Sequence, residues 1–529
     1  MTPLGGFALS LACMVALVGC SARSAAQHRD ADTLVVVERV DAGTMNPLYA
    51  ESAADALYQG IIFDSLVAVG AHYALVPWLA TKWTTTPDGL HWTVDLRHGV
   101  TWSDGAPFDS ADVVYTWKLM LDPKVGYNAR GQFEYVKNVV TEGPYRVRFD
   151  LTARNATFVL YALGSPILPK HILAKTPPDR QRFSSLGEHP VGTGPYRLQS
   201  WQHDSQAVLV RNPRWWHGLP RIKRIDFRII FNDQAEVDAM KDGSADFMDD
   251  VSSSQYLQLQ SDSKIGLLHF LSPYIDVIEP NLRRVGLSDV NVRQAMMYGW
   301  DREAIAKGLF DGQVAVANSI VAEALTYWYD PHVKRYPYDP AKARAVLDAA
   351  GWRVGADGVR RRAGVRLSFE LLVNPGSVVI TDELLEFQAD MKAIGIEIRL
   401  HDLDFPTMIS RLYAGKFDLI ADARGGAVDP DFFTLLDSKQ RPPVGVNVTG
   451  YSNPTVDRDL VMGLRTIDPA KRRVYYNQMQ EVTAETLPML PEITRFSASA
   501  FNKRLDIQPK VALPYPFIWY NVFDWTLTP

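Results

Sequence analysis

The chain has 529 residues, of which 47% are hydrophobic and 22% are charged, and its formal net charge is −5. At about 150 residues per domain, this length is enough for three or four domains. The composition is that of an ordinary globular protein, which excludes collagen-like, disordered and polytopic membrane proteins. The small net charge argues against a general binder of nucleic acids, because such proteins carry a basic excess.

The amino terminus has the features of an export signal. An uncharged apolar run over residues 4–19 is shorter than the about 18 residues that span a bilayer comfortably, and is typical of a secretory signal. Residues 17–20, LVGC, resemble a bacterial lipobox, in which the peptidase cuts before a cysteine whose thiol receives diacylglycerol. The resemblance implies a signal peptide over residues 1–19, an acylated Cys20 and a membrane tether over residues 20–32.

One feature departs from an ordinary signal peptide. No Lys or Arg precedes Arg23, although the start of such a signal is usually basic. A plain cleaved signal with a chance cysteine therefore stays open as an alternative. The other cysteine, Cys13, lies within the signal, so the mature chain is expected to contain no disulfide, thiolate metal site or catalytic cysteine.

The first predicted elements follow this segment. A β-branched run at residues 34–37 predicts a buried strand, and apolar residues at helical spacing over 53–69 predict a helix that leads into a short strand. Strict alternation over 92–97 predicts a half-buried strand. Asp109 or Ser110 is expected to cap the next helix.

Strands and helices continue to alternate along the chain. Apolar positions predict two strands around the Asn-Pro turn at residues 212–213. The later predicted elements are, in order, a helix over 290–310, a helix over 340–351, a strand over 367–373, a helix over 383–394 and a strand over 397–400. Short connections between alternating elements favour an α/β fold. No Gly/Ser-rich linker divides the chain, which suggests domains joined by several chain crossings.

The sequence contains few signs of catalysis. No P-loop, nucleophile elbow or zinc-binding H-E-x-x-H helix is present, and the glycines at 192–194 lack the third glycine of a dinucleotide fingerprint. The polar cluster at 401–404 is explained by the end of a strand. The carboxylate pair Asp249-Asp250 is explained about equally well by a solvated turn. We therefore expect no enzyme activity, no metal site and no cofactor.

The segment over residues 75–117 carries a specific resemblance. It contains, in order, Pro77-x-Leu79-Ala80, Trp83, Asp88-Gly89, Leu96-Arg97-x-Gly99-Val100, Asp104-Gly105 and Ala111-Asp112-Val113. This string resembles the signature of family 5 of the bacterial extracellular solute-binding proteins, which includes oligopeptide, dipeptide and nickel-binding types. Further matches follow in the family's order: GTGPY at 192–196, VRQA at 292–295, YDP at 338–340, DP at 429–430 and YSNP at 451–454.

The resemblance implies the two-lobed α/β fold of class II periplasmic binding proteins, with an extra domain inserted in the first lobe. The implied divisions are a lobe I core over 33–65, 185–270 and 490–529, an inserted domain over 66–184, and lobe II over 271–489. Such a protein would be a monomer that closes on its ligand and delivers it to a membrane permease with ATPase subunits. It would capture a peptide or another small solute.

The loop that carries the ligand's ammonium partner in peptide-binding members departs from the family pattern. With Asp429-Pro430 as the anchor, Gly426 stands where an aspartate is expected, and Ala423 stands where a tryptophan often occurs. Asp422 could supply the carboxylate if the loop shifts, and Arg424 either faces an anionic group or is exposed. The loop therefore predicts a small peptide or amphipathic metabolite held without a dominant ammonium clamp.

Loops at the implied lobe interface supply the candidate ligand-binding residues, which are Met45, Asn46, Arg424, Asp429, Asn447 and Trp519. Ordinary core packing is an equally good explanation for each of them. Two other functions stay open: a sensory or regulatory envelope lipoprotein with the same fold, and a secreted hydrolase.

Overall fold

The computed structural model describes residues 32–70, 74–310, 312–374, 381–425, 428–507 and 517–528. The predicted signal peptide, Cys20 and Gly426 lie outside the described residues. No helix in the described ranges is long and apolar enough to cross a membrane.

The described residues form 24 strands and 13 α-helices. The strands are β1 Thr33–Glu38, β2 Val67–Val69, β3 Leu75–Pro77, β4 Ala80–Thr85, β5 His91–Leu96, β6 Val136–Thr141, β7 Arg146–Leu151, β8 Tyr196–Gln202, β9 Gln206–Arg211, β10 Arg224–Ile229, β11 Phe247–Met248, β12 Ile265–Leu271, β13 Tyr274–Pro280, β14 Val314–Val316, β15 Arg353–Val354, β16 Arg360–Arg362, β17 Val365–Arg366, β18 Ser368–Val373, β19 Glu397–Asp402, β20 Leu419–Gly425, β21 Leu490–Pro491, β22 Ile493–Asn502, β23 Leu505–Asp506 and β24 Thr526–Leu527. The helices are α1 Ala53–Ile62, α2 Ser110–Leu121, α3 Lys170–Leu173, α4 Asp233–Lys241, α5 Ser253–Leu259, α6 Val290–Gly299, α7 Arg302–Gly308, α8 Pro340–Ala349, α9 Thr381–Ala393, α10 Phe405–Tyr413, α11 Phe433–Leu436, α12 Pro454–Arg465 and α13 Pro469–Thr486.

The largest sheet has the strand order β12-β22-β11-β1-β10-β9-β8, with β14 added to β22. Its central strand β1 runs parallel to β10 and β11. Leu34 and Val36 pack into one hydrophobic cluster, and Val35 and Val37 pack into another on the opposite face. Burial on both faces explains why this strand is a continuous apolar run, as the sequence predicts.

An antiparallel sheet of order β4-β5-β7-β6 lies beside the largest sheet. Helix α2 packs on it through Trp117, whose ring contacts Phe149 at a centroid distance of 5.6 Å. The Asp109 side chain caps α2 by accepting a hydrogen bond from the Ala111 amide. We call these two sheets and their helices lobe I.

A third sheet has the order β19-β18-β20-β13-β21, and we call it and its helices lobe II. Helices α6, α8 and α9 share one hydrophobic cluster with this sheet, whereas α12 and α13 share another. The chain passes between the lobes from β12 to β13 and from β21 to β22, and β14 returns between these crossings to pair with the start of β22. Backbone bonds join the two crossings. Ser272 N–H donates to Arg495 O at 2.9 Å, and Glu492 N–H donates to Asp276 O at 2.8 Å.

The structure differs from the sequence prediction at residues 290–310, where two helices replace one. Trp300 adopts extended backbone angles, φ −99° and ψ 114°, and its buried ring packs against Phe387. The Asp301 side chain then accepts a hydrogen bond from Ala304 N–H at 2.9 Å and starts α7. Aspartate is a strong N-cap residue, so this local bond ends one helix and begins the next.

Candidate functional site

A cavity of about 450 Å³ opens between the lobes. It is lined almost entirely by lobe I, and Val428 reaches it from lobe II. The lobe I residues that line it are Ala56, Leu57, Gly60, Phe63, Asp64, Ser65, Val67, Ala68, Val69, Trp78, Leu160, Tyr161, Gly164, Pro166, Pro195, Trp519, Tyr520, Val522 and Phe523. Most of these residues are apolar, which is typical of a site that accepts the body of an organic ligand.

Helix α1 forms one wall of the cavity. It begins at Ser52, whose side chain exchanges hydrogen bonds with Asp55 in a capping box. Ile61 points into the core of lobe I, while Ala56 and Gly60, four residues apart, face the cavity. Apart from its two neighbours and the backbone of the helix itself, no atom lies within 4 Å of the place that a Cβ atom on Gly60 would occupy, so this wall is open at that point.

Aromatic side chains form the opposite wall, and a buried carboxylate fixes two tryptophans. Trp78 Nε1–H donates to Asp64 Oδ1 at 2.6 Å, and Trp216 Nε1–H donates to Asp64 Oδ2 at 3.0 Å. Burial raises the pKa of Asp64, although these bonds act in the opposite direction. Phe523 packs against Trp78 at 5.9 Å between ring centroids. The rings are thereby held in place before any ligand arrives, which lowers the entropy cost of binding.

Trp519 is the sequence-predicted site residue that lines this cavity. Its ring packs against Phe247 at 5.2 Å and Trp525 at 5.0 Å, and its Nε1–H donates to Asp249 Oδ2 at 3.0 Å. The predicted cleft aromatic is therefore also part of the lobe I core.

The charged candidates in the lobe II loop are paired within their own lobe. Arg424 at the end of β20 bonds to buried Glu279 and lies 3.0 Å from Asp422. Burial lowers the pKa of Arg424, but these two acidic neighbours outweigh that effect and raise it. Asp429 accepts two hydrogen bonds from Arg472, one of them at 2.8 Å. Neither charge is left open to an ionic ligand.

Asn46 and Met45 are fully buried in lobe I. The Asn46 side chain accepts from Leu48 N–H at 3.1 Å and donates to Gln181 O and Ser184 Oγ, both at 3.3 Å. Met45 belongs to the hydrophobic core. Both side chains fix the loop after β1, and neither lines the cavity.

Asn447 fixes a loop in lobe II in the same way. It is fully buried, and its Nδ2–H groups donate to the carbonyls of Leu436, Asp437 and Tyr451. Its Oδ1 accepts from Gly450 N–H at 3.0 Å. The amide is therefore saturated by its own loop.

The cavity residues that sequence reasoning missed lie on regular elements or short turns. Leu57 and Gly60 belong to a helix whose apolar spacing predicts only core packing. Tyr161 follows a turn without any motif, and Trp78 stands within the family signature, where packing explains it equally well. No local signal separates these residues from ordinary core residues. Within the described ranges, no group of three or more His, Cys, Asp or Glu could hold a metal ion.

Comparison with known proteins identifies relatives over nearly the whole chain. A family model described as bacterial extracellular solute-binding proteins, family 5 Middle, matches residues 74–441. The oligopeptide-binding protein AppA of Bacillus subtilis is 26% identical over 475 residues, which are 88% of this chain and 87% of AppA. A Brucella ovis protein named for ABC-transporter peptide binding is 29% identical over 418 residues, or 78% of this chain and 77% of that protein.

Solved structures share the fold. NikZ of Campylobacter jejuni in complex with Ni(L-His) has a TM-score of 0.78 and 27% identity, and the match covers 94% of this chain and 100% of NikZ. AppA of Bacillus subtilis with a nonapeptide has a TM-score of 0.77 and 24% identity, covering 94% of this chain and 99% of that one. These matches confirm the two-lobed α/β fold of the periplasmic binding proteins that the sequence predicts.

Proposed function

Because the chain belongs to family 5 of the bacterial extracellular solute-binding proteins, we propose that it is the substrate-binding component of an ABC importer. It captures a peptide or peptide-like solute between its lobes and delivers the solute to a membrane permease with ATPase subunits. The observation that carries this proposal is the apolar cavity, which lobe I builds and Val428 of lobe II borders. A ligand that touches both lobes stabilises the closed state, which the permease recognises.

The peptide class comes from the relatives and fits the walls of the cavity. The names of AppA and of the Brucella ovis protein refer to peptide binding. Partly exposed aromatic rings at Trp78, Tyr161 and Phe523 offer apolar surface to the side chains of a peptide. The family is a binding component of transport, so we propose capture without turnover.

Gly60 provides a direct test of the cavity. A Gly60→Trp substitution places an indole in open space inside the cavity, whereas Gly308→Trp, the control, adds one at an exposed helix end that does not line it. We expect short peptides to raise the melting temperature of the wild type and of the control. The Gly60→Trp protein should bind them at least about tenfold more weakly, as measured by calorimetry. No peptide-induced shift in the wild type, together with no co-purified solute by native mass spectrometry, would contradict the proposal.

We also propose that residues 1–19 are removed on export and that Cys20 carries the lipid anchor, with the folded part acting as a monomer. The lipobox-like residues 17–20 support this proposal. A Cys20→Ser protein is expected to leave the membrane fraction while retaining ligand binding. Equal membrane association of the Cys20→Ser protein and the wild type would contradict a lipid anchor.

A further inference from the structure

Three carboxyl groups collect at the carboxyl ends of two parallel strands in lobe I. Glu38 is the last residue of β1, and Asp249 and Asp250 directly follow β11. The two strands are paired with Val37 opposite Met248, so the three acidic residues meet at one edge of the sheet. Ligands of open α/β sheets bind in the crevice outside the carboxyl ends of such strands.

Glu38 is buried without a partner for one of its carboxylate oxygens. The residue is 9% exposed, and within the described part of the chain Oε1 has no hydrogen-bond partner. Burial raises the pKa of Glu38 well above its ordinary value, and the charges of Asp249 and Asp250 raise it further. Burying a carboxyl group without a hydrogen-bond partner costs free energy, so we expect Glu38 to have a partner when the protein has bound its ligand.

Tyr58 of helix α1 lies next to the same space. Its hydroxyl is fully buried and, among the described residues, also lacks a hydrogen-bond partner. Its pKa is raised well above the ordinary value, first by burial and then by the charges of Glu38 and Asp41. Glu38 and Tyr58 are thus two buried polar side chains that lack a partner among the described residues, although buried polar groups are normally hydrogen-bonded.

The nearest cation of the protein is already engaged. Arg39 lies 3.1 Å from Asp233 and 3.3 Å from Glu236, on the side of helix α4. Two effects act on the pKa of Asp250. Desolvation of its carboxyl group raises the pKa, and the positive charge of Arg39 lowers it by a smaller amount. Asp250 is nevertheless exposed to water, so a solute can reach its side chain.

Trp519 connects the carboxyl cluster to the cavity. Asp249 Oδ1 accepts from Ser499 Oγ–H at 2.6 Å, and Asp249 Oδ2 accepts from Trp519 Nε1–H at 3.0 Å. The Trp519 ring lines the cavity. An apolar ligand body in the cavity and a polar group at the cluster would therefore contact the same tryptophan.

We propose that Glu38, Asp249 and Asp250 bind the cationic group, an ammonium or a guanidinium, of the ligand whose apolar body occupies the cavity. The inference rests on the proposed function and narrows its substrate class to amphipathic cations, including peptides with a free amino group. Lobe I then supplies the carboxylates, so this cation site replaces the sequence-based prediction of a ligand held without a dominant ammonium clamp. In lobe II, the loop carboxylates Asp422 and Asp429 are paired with Arg424 and Arg472 instead.

Paired probes test the proposal by calorimetry: trileucine, N-acetyl-trileucine and the small amine tryptamine. We expect wild-type protein to bind trileucine at least about 30-fold more tightly than its acetylated form, because acetylation removes the charge that the cluster pairs with. Glu38→Gln and Asp250→Asn should each reduce this preference without weakening binding of N-acetyl-trileucine. Asp233→Asn, which changes a carboxylate on the outer side of Arg39, is the matched control and should keep the preference.

The outcomes separate this inference from the proposed function. Equal binding of trileucine and its acetylated form by the wild type would overturn the cation site and leave peptide capture standing. A preference that survives in the Glu38→Gln/Asp250→Asn double variant would overturn it too. Binding of tryptamine that Glu38→Gln abolishes, with no binding of either peptide, would support the cation site and contradict peptide capture. No binding of any probe would overturn both. Asp250 is exposed, so its variant is expected to fold.

Discussion

Asp429 shows how a polar residue of the lobe II loop shapes the site without facing the ligand. Its two carboxylate oxygens both bond to Arg472, which also donates to Gly463 O at 2.7 Å and to the Tyr476 hydroxyl at 2.8 Å. The pair holds the chain next to Val428, which borders the cavity. Both charges are buried, so each depends on the other for compensation.

Substitution of Arg472 is therefore expected to destabilise the fold. An Arg472→Met substitution leaves the Asp429 carboxylate buried without a counter-charge, and we expect it to lower the free energy of unfolding by about 3–5 kcal/mol. Urea denaturation measures the change. The control is Arg146→Met, which breaks the exposed pair with Asp95 and should lower the free energy of unfolding much less, because water and salt screen such a pair. Equal losses in both variants would show that the buried pair has no special role.

Glu492 presents the opposite case, a buried carboxyl that is not paired. Neither of its carboxylate oxygens has a hydrogen-bond partner among the described residues, and burial, followed by the charges of Glu383 and Asp276, raises its pKa well above the ordinary value. The nearby Arg302 donates to backbone carbonyls instead, including Pro491 O at 2.9 Å. The protonated, neutral form of Glu492 is therefore favoured.

A neutral replacement at this position is expected to be tolerated. Glu492→Gln keeps the shape of the protonated side chain, so the free energy of unfolding at pH 6 should change by less than about 1 kcal/mol. Urea denaturation of the variant and the wild type checks this. A loss of more than about 3 kcal/mol would mean that Glu492 is ionised and acts as the counter-charge of Arg302.

At the scale of elements, two glycines in the cavity wall have opposite roles. Gly60 lies inside helix α1 with open space where a Cβ would be. Gly164 lies in a turn where a Cβ would stand 2.1 Å from Leu160 O, so only glycine fits there. The first glycine keeps room in the cavity, and the second permits the tight turn in which the Leu160 carbonyl approaches the backbone of residue 164.

Alanine substitutions separate these roles. Gly60→Ala is expected to raise the free energy of unfolding by about 0.5–1 kcal/mol, because alanine favours the helix and meets no atom. Gly164→Ala is expected to lower it, because Leu160 O must move. Thermal and urea unfolding of both variants provide the measurement, and a destabilised Gly60→Ala protein would show that the cavity wall is tighter than its geometry indicates.

Local patterns were sufficient to predict many elements. The apolar run of β1, the alternation of β5 and the cap of α2 depend on neighbouring residues, so the sequence shows them directly. The break between α6 and α7 was missed, because apolar spacing continues through Trp300 and only the Asp301 cap interrupts the helix. Element type follows from short-range periodicity, whereas element ends depend on single side-chain bonds.

The site was much less predictable than the fold. For Asp249-Asp250, the sequence left a carboxylate pair and a solvated turn about equally open, since nothing in it shows that the β1–β11 pairing brings Glu38 beside them. Asn46 and Asn447 were reasonable candidates as polar residues in loops, but each side chain is saturated by its own loop. Contacts between distant segments decide which polar groups are left without partners, and composition and spacing do not contain that information.

For the whole molecule, several buried acidic groups imply that stability depends on pH. Burial raises the pKa values of Asp249, Asp276 and Asp431 to about 6. A carboxyl whose pKa is higher in the folded than in the unfolded state stabilises the fold below its unfolded value, about 4, and this stability is lost as the pH rises through 6. At the acid end, hydrogen bonds from Ser368 and Arg366 lower the pKa of Glu397 from 4.5 to about 2, so its stabilising contribution declines as the pH falls below 4.5 and is lost by about pH 2.

We therefore expect the ligand-free protein to have its highest melting temperature between about pH 4 and 5 and to become less stable toward pH 7. Differential scanning calorimetry across this range measures the curve. Asp431→Asn should flatten the decline, because the amide can still accept the Phe433 N–H bond but does not ionise. Exposed Asp238 is the matched control, and its Asn variant should follow the wild type. A melting temperature that rises steadily from pH 5 to pH 7 would contradict the sign of the effect, because buried carboxyls that must ionise inside the fold can only oppose such a rise.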